Sequence, residues 1–339
     1  MRAATSTTYG PPDVVRVATL PDPVPGPRDL LVRNRASTLA AAGVAARSGT
    51  PWFARLAFGL RRPRHPVLGG EVAGEVVAVG AEVAGVAVGD RVTALTRMGA
   101  GAHAELVVVP AGGAVVATPE GMSDVDAAVL AAGPLTALPF LTDHARLRPG
   151  ARVLVIGASG CVGTAAVQLA VAAGAHVTAV CGPRGLDLVR ALGAAEVVDR
   201  TVRDVTARGV TTQTTGADTV TDGASYDVVL DVAGASTYRR CRRLLTDDGV
   251  YLTTVPSAAI LGRTLWSARR THGRRGVVAF TGLRSTELQR ATLREALALG
   301  SSGALRAVVD RAYPLDRIAD AHRHVEHEHK AETVVVALG

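Results

Sequence analysis

Residues 152–163 carry the clearest structural signal in the chain. They read Arg152-Val153-Leu154-Val155-Ile156-Gly157-Ala158-Ser159-Gly160-Cys161-Val162-Gly163. Five residues typical of a buried β-strand lead into a turn with three glycines and then into a helical pattern. A dinucleotide pyrophosphate requires close approach of backbone without a Cβ atom, and N–H groups at a helix N-terminus. Gly157, Gly160 and Gly163 are spaced for the tight turn, the close approach and the helix–strand packing, so the segment predicts a dinucleotide-binding turn.

The chain from residue 123 onward alternates between strand and helix patterns. Ser123, followed by Asp124 and Asp126, is a plausible helix start with an N-cap and early acidic residues. Strands are predicted at 152–156, 176–181, 196–198, 226–231 and 249–255, and helices at 162–173 and 186–192. This alternation predicts an α/β fold with a parallel, doubly wound sheet of the Rossmann type.

Residues 1–122 show a different pattern, in which short Val-rich strands are separated by Pro and Gly. The predicted strands are 29–33, 71–79, 91–95 and 104–109. This pattern predicts a small antiparallel β-barrel. We also predict a surface insertion at the Thr- and Gly-rich segment 201–224, a polar helix at 318–330 and a closing strand at 332–338.

The composition is that of a globular protein with two domains, because 339 residues include 48% apolar and 20% charged side chains. The formal charge of +7 allows a nucleic-acid or membrane-surface partner. However, Lys330 is the single lysine, and the arginines are scattered apart from short clusters at 61–64, 239–243 and 269–275. We interpret the arginine bias as codon usage in a GC-rich genome, with polyanion binding by the clusters as the alternative.

The cysteines and the apolar runs bear on the cellular compartment. Cys161, Cys181 and Cys241 are odd in number and lack paired spacing, so no disulfide framework is expected. The N-terminal residues lack an apolar signal core, and no uncharged apolar run reaches the roughly 18 residues of a membrane helix. We therefore expect a cytoplasmic, reduced protein without a membrane partner.

The residues after the second strand of a doubly wound sheet distinguish NAD from NADP. An NAD site usually places Asp or Glu there, on the ribose hydroxyls. This chain has Cys181-Gly182-Pro183-Arg184, with no acid before Asp187. Arg184 is therefore a candidate for binding the 2′-phosphate of NADPH, and Arg200, after the third strand, is a second. The alternative is that both are ordinary solvated arginines.

Motifs along nearly the whole chain point to one family. They include Tyr9-Gly10-Pro11-Pro12-Asp13-Val14-Val15, Leu68-Gly69-Gly70-Glu71-Val72-Ala73-Gly74-Glu75-Val76, Gly89-Asp90-Arg91-Val92, Leu135-Thr136-Ala137-Leu138, the glycine-rich turn, Tyr226-Asp227-Val228-Val229-Leu230-Asp231 and Tyr313-Pro314-Leu315. With these motifs the chain resembles the zinc-independent quinone oxidoreductase branch of the medium-chain dehydrogenase/reductase superfamily.

The resemblance implies a domain scheme and a cofactor site. A GroES-like catalytic domain would span 1–122, a Rossmann NADP-binding domain 123–282, and a C-terminal return over 283–339 would complete the catalytic domain. Thr136 and the backbone near Val255 and Phe280 would lie close to the nicotinamide, and the protein would be a homo-oligomer, such as a homodimer. The predicted cofactor-binding residues are Gly157, Ser159, Gly160, Cys161, Val162, Gly163, Arg184, Arg200, Ala233, Gly234, Val255 and Phe280.

Neither zinc site of the zinc-dependent relatives is expected. Where those relatives carry Gly-His-Glu, this chain has Gly69-Gly70-Glu71, and their first catalytic cysteine falls near Ala41-Ala42. All three cysteines lie outside the barrel domain. The C-terminal run contains His322, His324, His327 and His329 and could suggest a metal site. We interpret it as a solvated helix face.

The predicted catalytic domain differs from the quinone oxidoreductase branch at several polar positions. Relatives often carry Asn and then Asp at positions that here are Ala40 and Gly43, and the tyrosine that often donates the proton is missing from residues 49–53. We expect His103 to be structural, and Trp52, Phe53 and Phe58 to form either an apolar lid or plain loop packing. Water would be able to supply the proton. The polar candidates for the substrate pocket are Ser37, Thr38, Ser48, Thr50, Thr96 and Arg97, and Thr136, Ser37, Thr38 and Thr50 are the predicted catalytic residues.

Without zinc or an obvious acid–base pair, the natural reaction is hydride delivery to an already activated carbon. Quinones and α,β-unsaturated carbonyls qualify, because conjugation spreads the developing negative charge onto oxygen. The leading hypothesis is an NADPH-dependent quinone or enone reductase acting on a small molecule, with a specialised apolar substrate as one version. The alternatives are an NADP(H)-binding protein with vestigial redox activity that acts as a sensor or as a nucleic-acid or protein partner, and a redox-neutral catalyst on the same fold.

Overall fold

The structure is a computed structural model that describes residues 1–96, 100–206, 225–267, 272–327 and 333–339. The strands are β1 (Arg2–Thr5), β2 (Arg16–Thr19), β3 (Asp29–Leu39), β4 (Glu71–Val79), β5 (Arg91–Leu95), β6 (Leu106–Pro110), β7 (Val115–Ala117), β8 (Arg152–Ile156), β9 (His176–Cys181), β10 (Glu196–Asp199), β11 (Tyr226–Asp231), β12 (Leu245–Thr253), β13 (Arg275–Val278), β14 (Val309–Pro314) and β15 (Thr333–Ala337). The α-helices are α1 (Ala41–Ser48), α2 (Ala54–Phe58), α3 (Asp124–Leu130), α4 (Gly133–Pro139), α5 (Cys161–Ala172), α6 (Leu186–Ala191), α7 (Tyr238–Cys241), α8 (Ala258–Ser267), α9 (Thr286–Ser301) and α10 (Ile318–His327).

The chain divides into two compact units. The first comprises Met1–Leu135 and Arg284–Gly339, and the second comprises Thr136–Leu283. The first unit therefore extends past residue 122, where the sequence placed the boundary. The reason is α3, which packs on β3, β4 and β15 of the first unit through a buried face that includes Ala127 and Leu130.

The second unit contains a six-stranded parallel sheet. Its strand order is β10-β9-β8-β11-β12-β13, which is the order of a Rossmann sheet. Strands β8, β9 and β11 have the predicted bounds because they are nearly continuous apolar runs, as strands buried on both faces usually are. The predicted doubly wound α/β fold is confirmed, and this sheet places the glycine-rich turn at the carboxyl end of β8.

The first unit contains a seven-stranded sheet in the order β14-β15-β3-β4-β5-β7, with β6 paired to β3. The pairs are antiparallel except β14 with β15, which are parallel. Strand β3 continues to Leu39, beyond the predicted end at residue 33, because its second half pairs with β15 in a register that aligns Thr38 with Val335. That partner lies far away in sequence, so a local pattern cannot reveal it.

One helical stretch, Asp124–His144, is long and apolar enough by length and composition to cross a membrane. However, 67% of its apolar window is buried within the fold, and the core helix of a soluble protein passes the same test. The stretch is therefore weak evidence for a membrane span.

Most of the predicted insertion 201–224 and the candidate Arg97 lie outside the described residues.

Candidate nucleotide and substrate sites

The glycine-rich turn between β8 and α5 has the geometry that a nucleotide phosphate requires. Gly157 has φ +86°, a conformation that favours glycine. A Cβ atom on Gly163 would lie 2.1 Å from the carbonyl oxygen of Gly157, so α5 packs directly on the turn. In contrast, a Cβ atom on Gly160 would meet only that same oxygen, at 3.5 Å. The protein leaves space beside Gly160, where the cofactor phosphates are expected.

The N-terminus of α5 supplies the electrostatic half of this site. Gly160 is the N-cap residue, and no side chain caps the helix. The N-terminal N–H groups and the positive end of the helix dipole are therefore not offset by a capping side chain, which favours an anion at this end. Ser159, the residue before this N-cap, packs against Gly185 of the 3₁₀ turn Pro183–Gly185, since a Cβ atom on Gly185 would lie 2.5 Å from Ser159 Cβ.

Two arginines lie around the end of β9, the position where sheets of this type usually contact the ribose of a dinucleotide. Arg184 is exposed in the short 3₁₀ turn Pro183–Gly185. The exposed Arg200 passes over Gly182, because a Cβ atom there would be 3.5 Å from Arg200 Nε. An acid is also near, since Asp199 aligns with Cys181 in the register of β10 and β9. However, Asp199 Oδ1 already accepts hydrogen bonds from the backbone N–H and the hydroxyl of Thr201.

The loop after β11 is shaped by Asp231, which the sequence analysis did not single out. The buried carboxylate of Asp231 accepts the backbone N–H groups of Ala233 at 3.2 Å, Ala235 at 3.1 Å and Ser236 at 2.8 Å, and the hydroxyl of Tyr251 at 3.1 Å. These bonds fix the loop that carries Ala233 and Gly234, two of the predicted cofactor-binding residues.

Residues predicted to lie near the nicotinamide are exposed or partly buried in the second unit. Val255 is 40% exposed and Phe280 is 48% exposed. The hydroxyl of Thr136 lies 3.2 Å from that of Thr281, the residue that follows Phe280. The pair of hydroxyls ties α4 to the chain after β13, a link that the sequence did not indicate.

A polar group of the first unit centres on Glu71, at the start of β4. Thr38 Oγ1 donates a 2.7 Å hydrogen bond to Glu71 Oε2. Desolvation raises the pKa of Glu71 to about 7, against the opposing effects of the Thr38 hydroxyl and of the backbone hydrogen bonds of Glu71 and Gly70. At this pKa the carboxyl group of Glu71 can hold or release a proton near neutral pH. The sequence analysis considered Glu71 only against a zinc-binding motif and missed this property.

The predicted catalytic residues of the first unit occupy different environments. Ser37 is fully buried, and its hydroxyl has no hydrogen-bond partner within the described parts of the chain. Thr38 is also buried, and its hydroxyl donates a hydrogen bond to Glu71, whereas Thr50 is exposed in the turn after α1. The structure thus brings Thr38 to an ionisable group and leaves Thr50 at the surface. The roles of Ser37, Thr38, Thr50 and Thr136 in substrate binding stay predictions.

The interpretation of the C-terminal histidines as a solvated helix face is wrong for two of them. His322 is fully buried, and among the described residues neither of its ring nitrogens has a hydrogen-bond partner. His324 is nearly buried, and its Nε2 lies 2.5 Å from Asp310 Oδ2. The cause is that α10 packs against α1, β14 and β15, so residues that look polar in sequence face the core.

His103 lies in the interior of the first unit, in line with the expected structural role. Its Nε2 lies 3.1 Å from the carbonyl oxygen of Thr38, and its backbone carbonyl accepts the N–H of Ala4. Burial lowers the pKa of His103 to about 4, so its ring is neutral at physiological pH.

Comparison with known proteins assigns the family. The profile described as "Alcohol dehydrogenase GroES-like domain" matches residues 26–120, and that described as "Zinc-binding dehydrogenase" matches residues 192–336. Over 260 residues the chain is 32% identical to the "Chloroplast envelope quinone oxidoreductase homolog" of Arabidopsis thaliana, a match that covers 74% of this chain and 73% of the relative. The chain belongs to the medium-chain dehydrogenase/reductase superfamily. Within it, the relatives place the chain in the quinone oxidoreductase-like branch.

Solved structures agree on the fold. The quinone oxidoreductase from Coxiella burnetii gives a TM-score of 0.84 and 24% identity, over 100% of this chain and 99% of that chain. The CurK enoyl reductase gives 0.80 and 23%, over 99% and 98%. At these identities the likeness shows the medium-chain fold alone. Membership of the superfamily implies an oxidoreductase with a nicotinamide cofactor, NAD(P)H, acting on a small molecule.

The description of one profile raises the question of zinc, for which the described residues show no suitable site. Within the described parts of the chain, no group of three or more His, Cys, Asp and Glu side chains is placed to hold a metal ion. All three cysteines lie in the second unit. Burial raises the pKa of Cys181 and Cys241 to about 11, which disfavours the thiolate form that binds zinc. The glycine-rich turn, in contrast, fits a dinucleotide.

Proposed function

We propose that this protein is an NADPH-dependent, zinc-independent reductase of quinones or α,β-unsaturated carbonyls. The observation that carries the proposal is the pair Arg184 and Arg200 around Gly182, beside an open phosphate turn. A guanidinium group matches the geometry and charge of a 2′-phosphate, and the nearby Asp199 is occupied by Thr201. The printed name of the Arabidopsis relative supports the quinone, and that of the CurK enzyme supports the enone.

The residues of this chain would bind and orient the cofactor. The N–H groups of the first turn of α5 would receive the pyrophosphate, and the loop fixed by Asp231 would bound the site. The nicotinamide supplies a hydride when it is bound. Conjugated substrates suit a site without a Lewis acid, because their own carbonyl oxygen takes up the negative charge.

A proton must reach the substrate after the hydride, and Glu71 is the group that we propose for this role. Its raised pKa keeps a fraction of the carboxyl groups protonated at neutral pH. The hydroxyl of Thr38 orients the carboxyl group through the 2.7 Å hydrogen bond. In this scheme Thr38 is a positioning residue, which accounts for a polar side chain at that point of β3.

Turnover of matched substrates tests the function. The purified protein would be dialysed against a chelator, its zinc content measured, and NADPH oxidation followed with a panel of quinones and enones and with their saturated ketone counterparts. We expect turnover of quinones or enones by metal-free protein and none of the saturated ketones. Reduction of saturated ketones only after zinc is added back would overturn the proposal.

The assignment to a cytoplasmic homodimer stays a prediction from sequence.

A further inference from the structure

Thr38 and Glu71 lie beyond the point where the backbone pairing between β3 and β4 ends. The last pair of that ladder aligns Ala36 with Ala73. Two residues further along each strand, Thr38 and Glu71 are joined by the 2.7 Å hydrogen bond between their side chains. Strand β15 still pairs with β3 here and aligns Val335 with Thr38, so β3 is fixed on one edge. The spacing between Thr38 and Glu71 therefore depends on contacts other than the ladder between β3 and β4.

His103 supplies such a contact to both sides of this gap. Its Nε2 lies 3.1 Å from the carbonyl oxygen of Thr38. A carbonyl oxygen only accepts hydrogen bonds, so Nε2 carries the ring proton and is the donor. The backbone N–H of His103 donates to the carbonyl oxygen of Leu68 at 2.8 Å, and a Cβ atom on Gly69 would lie 2.4 Å from Cδ2 of the ring. One residue therefore contacts both Thr38 and the segment that leads into Glu71.

The position of His103 is itself fixed by buried hydrogen bonds. Its carbonyl oxygen accepts the N–H of Ala4 at 2.8 Å. The fully buried Asn34 donates from Nδ2 to the carbonyl oxygen of Ala102 at 2.6 Å, and its Oδ1 accepts the N–H of Ala73 at 3.2 Å. Asn34 thus ties the residue before His103 to β4. The ring of His103 is only 1% exposed, so the surrounding packing restricts its rotation.

The chain just before Glu71 is held by Thr96. The hydroxyl of Thr96 donates to the carbonyl oxygens of Gly69 at 3.1 Å and Gly70 at 3.2 Å, and its backbone N–H donates to Gly70 at 2.8 Å. Gly69 has φ +96°, a conformation that favours glycine, and the missing side chain leaves room for the His103 ring. Both ends of the hydrogen bond to Glu71 are therefore held, one by His103 and the other by Thr96.

The ring of His103 is a donor without charge. Burial lowers its pKa to about 4, against the opposing effect of its hydrogen bond to Thr38, so the ring is neutral at physiological pH. A cation at this place would favour the charged form of a nearby carboxyl group, whereas a neutral donor lets Glu71 keep its proton. His322 on α10 is neutral as well, since burial lowers its pKa to about 3, with the charges of His103 and Arg47 acting in the same direction. Neither ring therefore brings a charge to this part of the first unit.

We propose that His103 is a positioning residue for the proton transfer: it holds Thr38, and Thr38 holds the carboxyl group of Glu71 in the orientation that delivers a proton. The inference rests on the proposed function, in which Glu71 is the proton donor. In this step the O–H bond of the carboxyl group breaks, the reduced substrate gains the proton, and water returns a proton to the carboxylate. His103 keeps its own proton throughout. It thus has a role in the reaction beyond the structural one expected from the sequence.

Amide variants of His103 separate the hydrogen bond from the bulk of the ring. In His103→Gln the amide nitrogen reaches about as far as Nε2 and is able to donate to Thr38, whereas the shorter side chain of His103→Asn does not reach it. His103→Leu removes the donor and retains an apolar side chain. The matched control is His322→Leu, which removes a buried histidine whose ring nitrogens have no hydrogen-bond partner among the described residues. Thermal unfolding identifies which variants are folded.

The titration of Glu71 tests the inference without any turnover. The full chain, labelled with ¹³C at the glutamate carboxyl carbons, would be titrated by NMR, with Glu71→Gln identifying the signal. The Thr38 hydroxyl opposes the rise in the pKa of Glu71, so loosening Thr38 should raise that pKa above the wild-type value of about 7. We expect this rise in His103→Leu and His103→Asn, and the wild-type titration in His103→Gln and His322→Leu. Adding His103→Leu to Thr38→Val should produce no further change, because the effect passes through Thr38.

Turnover of a quinone or enone gives the second readout. At pH 6, where Glu71 is mostly protonated, we expect kcat to fall about tenfold in His103→Leu and His103→Asn with KM little changed, and His103→Gln to retain most of the rate. An unchanged Glu71 titration in a folded His103→Leu or His103→Asn, equal behaviour of His103→Gln and His103→Leu, or loss of folding in all three would overturn the inference. Absence of turnover together with a Glu71 titration that responds as expected would overturn the proposed function alone.

Discussion

The hydroxyl of Thr38 and the carboxyl group of Glu71 are joined by a 2.7 Å hydrogen bond between β3 and β4. The bond stabilises the carboxylate, yet desolvation outweighs it and raises the pKa of Glu71 to about 7. In the proposed mechanism this carboxyl group is the proton donor.

Replacing Glu71 with glutamine should remove the proton donor while preserving the size of the side chain. We expect the kcat of Glu71→Gln to fall by about 100-fold, a usual contribution of general acid catalysis. The wild-type rate should decline as pH rises above about 7, because the carboxyl group then loses its proton, and the variant should lack this decline. Glu75→Gln, on the same strand, is the matched control. Equal pH profiles for wild type and Glu71→Gln would show that another group or water supplies the proton.

The two glycines of the phosphate turn should respond differently to alanine. Gly160→Ala should fold normally, since the new Cβ atom would meet only the Gly157 carbonyl oxygen at 3.5 Å, but its methyl group would enter the space for the phosphates. We expect thermal unfolding to change little and NADPH affinity to fall at least about tenfold. Gly163→Ala should instead destabilise the protein by about 1–3 kcal/mol or more, because its Cβ atom would lie 2.1 Å from that oxygen. Unaltered NADPH binding by a folded Gly160→Ala would place the phosphates elsewhere.

The buried His322 should make the fold sensitive to acid. Burial lowers its pKa to about 3, with the charges of His103 and Arg47 acting in the same direction. Between pH 6.5 and about 3 the unfolded chain therefore takes up a proton at this site that the folded chain does not, and stability is lost as pH falls. At pH 5 this loss is about 2 kcal/mol.

Denaturant unfolding of wild type and His322→Leu at pH 7 and pH 5 measures this effect. The variant should lose less stability between the two pH values, whatever its stability at pH 7. His176→Gln, which changes an exposed histidine at the start of β9, should keep the wild-type pH dependence. The same loss in His322→Leu as in wild type would contradict the assignment of a neutral, buried ring.

The fold was predictable where neighbouring residues carry the signal. The strand 152–156, the glycines after it and the strands 226–231 and 71–79 were all correctly placed, because apolar runs and turn glycines are local patterns. The extension of β3 to Leu39 was missed because it depends on β15, about three hundred residues beyond β3. The place of α3 in the first unit was missed because it depends on packing against β3, β4 and β15, which a local pattern does not reveal. Helices α8 and α9 were not predicted, although Ser285 caps α9 and would have marked its start.

Only the cofactor half of the candidate site has a signal that can be read from the sequence, and its residues stay predictions. The glycine spacing and the absence of an acid before Asp187 are readable along the chain, so the turn and Arg184 could be named. The pKa of Glu71 depends on desolvation and on a partner from another strand, and the burial of His322 depends on the packing of α10. Tertiary surroundings of this kind leave no mark in one sequence.

The measurement that tests the central claim most directly is a paired titration of NADPH and NADH, followed by nicotinamide fluorescence, on wild type, Arg184→Ala and Arg200→Ala. Arg148→Ala, a change to an arginine of the loop before β8, is the control. We predict that the wild type and the control bind NADPH at least about tenfold more tightly than NADH, and that this preference is lost in Arg184→Ala or Arg200→Ala. Equal affinities for both nucleotides in wild type, or binding of neither, would contradict the account.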